Sequence, residues 1–173
     1  RIAPTAAATL ALAIAACDGG APPAPAPDGG APEVCPAPSG PTMHHSDVQR
    51  SEVWTAAGSP HIVDRDVTVR DGATLTIEPC AEVQLAADAH IMVAFPGTPN
   101  TGTLIAEGTA QRPIRFRGRN AARWGSVYVV APGVARLRHV TLEGGGGGSF
   151  DDGATVAGFG DGSLPADPVV LLE

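Results

Sequence analysis

The chain has 173 residues and a formal net charge of −7, and its 11 basic residues are all arginine. Hydrophobic residues make up 43% but aromatics only 4%, so Ala, Val, Leu and Ile carry the apolar mass. That supports one modest core, while the acidic balance argues against nucleic acid as a partner and 22 Gly with 17 Pro argue against long helices.

Residues 3–16 carry no charge and are rich in Ala and Leu. The run falls short of the roughly 20 residues a membrane span needs. It suits the apolar region of a secretory signal, with Arg1 as the remnant of a positive leader. It closes as Ile14-Ala15-Ala16-Cys17. This resembles the bacterial lipobox, in which an aliphatic and two small residues precede a cysteine that becomes acylated. The resemblance implies a lipoprotein signal peptide at 1–16, lipid on Cys17, and a mature protein held on a membrane of the bacterial cell envelope. The alternatives are an ordinary signal with an incidental cysteine, or a buried apolar helix. Two or more acyl chains anchor a protein stably where one does so only marginally.

Directly after Cys17 comes DGGAPPAPAPDGGAPE. Such a stretch cannot build a core, and residues 17–50 read as a disordered tether. The cysteine count is three. If Cys17 carries lipid, Cys35 and Cys80 remain as a pair, and an exported compartment permits a disulfide. The alternative is two free thiols. Residues 51–61 read as an N-terminal cap, with Trp54 as the candidate lid.

From residue 62 the texture changes to period two. Val67 with Val69, Leu75 with Ile77, Val83 with Leu85 and Ile91 with Val93 each place two apolar side chains on one face. Leu104 with Ala106, Ile114 with Phe116, Val127 with Val129, Leu137, and Val140 with Leu142 follow. Turn formers separate them, among them Asp71-Gly72, Pro79, Gly108 and Pro132-Gly133. Many short strands fit a sandwich, a barrel or a β-solenoid. Irregular turns, scarce two-residue hairpin signals and stackable inward residues favour the solenoid.

DVTVRDGATLTIEPCAEVQL resembles the opening rung of bacterial surface proteins built as right-handed parallel β-helices. GTLIAEGTAQRPIRF, RWGSVYV and LRHVTLEGGG resemble their following elements in order. The resemblance implies that 62–173 forms rungs of a right-handed parallel β-helix, expected to be incomplete at the C-terminus. The β-sandwich is the alternative. In one respect the chain departs from the pattern: Cys80 stands where that turn usually has glycine. The fold itself hosts lyases, adhesins and inert stalks alike.

Few constellations point to chemistry. Asp151, Asp152 and Asp161 lie among glycines, but their spacing fits no calcium loop. The calcium cluster and arginine base of pectate lyases find no matching residues. Arg112, Arg115, Arg117, Arg119 and Arg123 crowd one stretch, and Arg136 with Arg138 follow. Arg115, Arg117, Arg136 and Arg138 are candidates for gripping an acidic polysaccharide through an outward guanidinium ladder; the competing reading is an exposed, partly neutralised face. His44 and His45 read as loop residues, and His61, His90 and His139 are scattered. Catalytic motifs are missing, and no cofactor or metal is expected. The sequence therefore points to a membrane-anchored envelope lipoprotein with a structural, adhesive or glycan-contacting domain. Its expected partners are the membrane, acidic polysaccharide or other envelope proteins. A β-helix polysaccharide lyase or hydrolase is the alternative.

Overall fold

A computed structural model describes residues 34–95, 100–148, 152–160 and 169–173. Cys17 and the first half of the expected tether lie outside these residues. The described chain runs through fourteen short strands in three sheets, and every strand pairing is parallel. Parallel neighbours at this spacing exclude a hairpin-built sandwich.

The first sheet stacks β1 (Thr42–His44), β3 (His61–Val63), β6 (Glu82–Leu85), β9 (Ile114–Gly118) and β12 (Val140–Glu143). The second stacks β4 (Val67–Val69), β7 (Ile91–Val93), β10 (Val127–Val130) and β13 (Val156–Phe159). The third stacks β2 (Glu52–Trp54), β5 (Ala73–Ile77), β8 (Gly102–Glu107), β11 (Val134–Arg138) and β14 (Val169–Leu172). From β3 onward the chain visits first, second and third sheet in turn, so each circuit is one coil of a parallel β-solenoid. Among the described residues no helix is long and apolar enough to cross a membrane.

Parity decides the interior. Val67, Ile91 and Val127 are register partners in the second sheet, Leu75 and Leu104 in the third, Val83 and Phe116 in the first, and all seven are fully buried. Each side chain lands on its equivalent one coil below. Full burial of such a side chain is worth about 1.5–3 kcal/mol. Val140 and Leu142 of β12, in the last coil, are only partly buried.

The corners follow turn chemistry. Asp71 and Gly72 both have positive φ (60° and 78°), and Ala73 N–H donates to Arg70 O at 3.1 Å. This is the backbone of an Asp-Gly type I′ turn. Such a pair usually closes a hairpin. Here it turns the chain from β4 into β5, which belong to different sheets.

Two expected boundaries need correction. The folded part starts before residue 50, because β1 lies inside the stretch 17–50 read as tether. Residues 51–61, read as a cap, hold β2 and the start of β3, so the segment is continuous with the sheets. Together β1, Val48 and β2 form a first coil, with Val48 bridged to Val69 as its contribution to the second sheet. Short strands with one or two inward residues carry too little alternation to be seen locally. β13 follows the glycine-rich stretch around Asp152, and pairing with β10 supplies the order that Val156-Ala157-Gly158-Phe159 lacks by itself.

Candidate functional site

The four arginines do not form one ladder. Arg115 and Arg117 project outward from β9 in the first sheet, Arg136 and Arg138 from β11 in the third. On the first sheet, Arg117 donates from Nε and Nη2 to Glu82 Oε1 at 3.0 and 2.8 Å. Burial would raise the Glu82 carboxyl. Hydrogen bonds from Gln84 and Arg117, with the Arg117 and Arg115 charges, outweigh it and hold the group below its usual range. Arg117 also sits in register with Glu143. A cleft of about 260 Å³ opens beside it, between the 118–122 turn and Glu143-Gly144.

On the third sheet, Arg138 is in register with Glu107 and lies 3.4 Å from Glu173 Oε2. Arg136 sits between Ile105 and Leu171 in its column. A recess of about 70 Å³ lies against this pair. Each face thus matches two arginines with two carboxylates. Parity had announced that all four point outward, but it carries no information about which sheet a strand joins.

Cys35 and Cys80 are bonded, with Cα atoms 5.6 Å apart and 45 residues of separation. Cys80 is the third residue of a turn closed by Ala81 N–H donating to Glu78 O at 3.1 Å. Pro79 precedes it, and its φ is +74°. A type II turn wants glycine at that position. The departure from the repeat pattern is therefore a side chain held in left-handed backbone, with the disulfide attached to it. Ser39 N–H and Thr42 N–H donate to Ala57 O and Pro60 O, laying the entry segment along the 55–60 turn.

The histidines are where sequence reasoning fell shortest. His44, read as a loop residue, ends β1, and His61 and His90 are each only 3% exposed. His61 shares parity with the inward Val63, which is the signal that could have found it. The His44 ring stacks on Trp54 at 3.9 Å, and Trp54 stacks on His61 at 5.3 Å. Trp54 is 1% exposed, so the candidate lid residue is part of the core. His61 Nε2 faces Thr55 O at 2.9 Å and must donate to it. That leaves His61 Nδ1 as an acceptor, so His44 Nε2, 2.9 Å away, donates. Burial, then the neighbouring His61 and His45, lowers His44 from 6.5 to about 4. Burial also lowers His61, against the pull of Thr55 O and the charges of Glu52 and Glu78.

His90 belongs to a different place. Its N–H donates to Asp66 Oδ1 at 2.9 Å, and its Nδ1 lies 3.0 Å from the same oxygen. Its ring lies against Gly125 of the Trp-Gly pair. Trp124 is fully buried and donates from Nε1 to Glu143 O at 2.7 Å. Asp152 lies in an exposed turn, while Asp151 and Asp161 lie outside the described residues. Among the described residues no group of three or more His, Cys, Asp or Glu is placed to hold a metal ion.

Comparisons with protein-family models, with curated proteins and with solved structures returned no match.

Proposed function

We propose that this chain is a bacterial envelope lipoprotein, anchored through lipid on Cys17, whose solenoid serves as a rigid structural or adhesive module. The observation that carries the reading is the Cys35–Cys80 disulfide. Disulfides persist in exported, oxidising compartments and are rare in the cytosol. Pairing Cys35 with Cys80 leaves Cys17 as the odd cysteine of three, at the end of the lipobox-like run. The Pro/Gly/Ala stretch behind it has the composition of a spacer that holds a domain off a membrane.

A structural or adhesive role is favoured over gripping an acidic glycan. The arginines are divided between two sheets and balanced there by Glu82 and Glu143 or by Glu107 and Glu173. Contact with acidic polysaccharide is a secondary property in this reading, weak and screened by salt.

Intact mass of the protein extracted from its own membranes tests the anchor, beside a Cys17→Ser variant. The expected result is a chain beginning at residue 17 and heavier by acyl chains, with the variant unprocessed. A soluble chain without added mass overturns the reading.

A further inference from the structure

The first coil is held by an unusual contact. Between β1, β2 and β3 lie three rings in contact, His44, Trp54 and His61; among the described residues the fourth coil holds the Phe116–Trp124 pair and the other coil interiors are mainly aliphatic. The hydrogen bond across this stack joins two imidazoles 17 residues apart in sequence. Its direction is fixed, because Thr55 O occupies the other nitrogen of His61. With both rings neutral His44 is therefore the donor, and the bond is lost only when both rings are protonated.

We propose that the His44–His61 pair is an acid-sensitive latch: β1 and β2 stay on the solenoid while one of the two rings is neutral, and they release when both are protonated. A proton on the outer nitrogen of His44 leaves the bond intact. Once His44 is charged, a proton on His61 Nδ1 sets two N–H groups against each other across 2.9 Å and places a second charge beside the first. Neither ring can turn away, since His61 is buried and His44 is stacked on Trp54.

The charged groups around the stack are few. On β2, Glu52 accepts from Trp54 Nε1 at 2.8 Å. After β5, Glu78 accepts from Ala56 N–H at 3.0 Å. Both carboxylates favour a proton on His61. Next to β1, His45 Nδ1 lies 2.8 Å from Asp64 Oδ2, and Asp64 also meets Arg65 at 3.6 Å. That pair engages His45 and leaves the His44–His61 contact as the only ring-to-ring hydrogen bond in the stack. The Cys35–Cys80 bond ties the entry segment to the turn after β5, so release opens the coil without detaching the chain. It uncovers Trp54 and turns β3 and β5 into edges.

The two tryptophans give separate reporters. With 5-fluorotryptophan in the full chain, fluorine NMR reads Trp54 in the latch and Trp124 in the fourth coil. The Trp54 resonance is expected to shift as pH falls from 6.5 to 4, with Trp124 stationary. His44→Phe, which keeps a stacked ring but removes the donor, is expected to abolish the shift above pH 4.5. Nitrogen NMR of the histidine rings covers the case in which that variant misfolds: His61 Nδ1 must become protonated at the midpoint of the Trp54 shift. The proposal is overturned if Trp54 does not move, if both tryptophans move together, if His44→Phe moves as the parent does, or if His61 stays neutral through the transition.

Discussion

The His90 ring occupies the space that a side chain at residue 125 would need. A Cβ on Gly125 would come within 2.3 Å of His90 Nε2 and 2.4 Å of Cδ2. The two residues belong to successive coils, with His90 just before β7 and Gly125 just before β10, and Gly125 N–H donates to Ala89 O at 2.9 Å. The ring is pinned by Asp66 from the coil on its other side, so it has nowhere to retreat.

Gly125→Ala is therefore expected to destabilise the protein by about 2–3 kcal/mol, the upper range for overpacking a buried site. Thermal unfolding measures it. His90→Ala in the same background removes the clash, and the double variant is expected to be more stable than the sum of the single effects.

The disulfide has two opposing terms. Closing a loop of this length constrains the unfolded chain by roughly 4 kcal/mol on the chain-entropy model. Left-handed backbone at a non-glycine residue costs about 1–2 kcal/mol. Comparing Cys35→Ser/Cys80→Ser with Cys35→Ser/Cys80→Gly by chemical denaturation separates them. Both are expected to be weaker than the parent, with the glycine variant recovering about 1 kcal/mol.

The latch also sets a pH dependence for the whole molecule. His44 falls from 6.5 unfolded to about 4 folded. Between these values the unfolded chain binds more protons, so stability falls as pH drops from 6.5 toward 4 and does not change on this account above 6.5. The loss is expected to be about 1–2 kcal/mol once solvent screening of the half-buried ring is allowed for. Calorimetric melts at pH 7.5, 6 and 4.5 check it, and the decline should shrink in His44→Phe.

The Arg117–Glu82 contact is a surface pair with 41% and 31% of the side chains exposed. A double-mutant cycle with Arg117→Ala and Glu82→Ala is expected to give a coupling of about 0.5–1 kcal/mol that shrinks in high salt.

Binding to a sulfated polysaccharide bears on the arginine faces. Weak retention in low salt is expected, and elution below 0.2 M, about where the Debye length falls under 8 Å. Arg115→Glu and Arg136→Glu should each lower it partially, because the two residues lie on different sheets.

Alternation alone determined which side chains go inside. A strand has two faces, and the apolar parity of Val67 with Val69, or Leu104 with Ala106, names the buried one without reference to the rest of the chain. The Cys80 departure from glycine was visible only against the repeat pattern that the chain resembles. Parity is silent about sheet membership. The register positions Val67, Ile91, Val127 and Val156 stand at unequal spacings, because corner turns and inserted loops differ from coil to coil. Which sheet a strand joins is decided by hydrogen bonds to the coil below. That is why Arg115 and Arg136 part company, why Val156–Phe159 becomes a strand, and why His44 finds His61 across a coil boundary. These pairings rest on backbone groups that are the same in every residue, and only the stacked fold brings the right ones together.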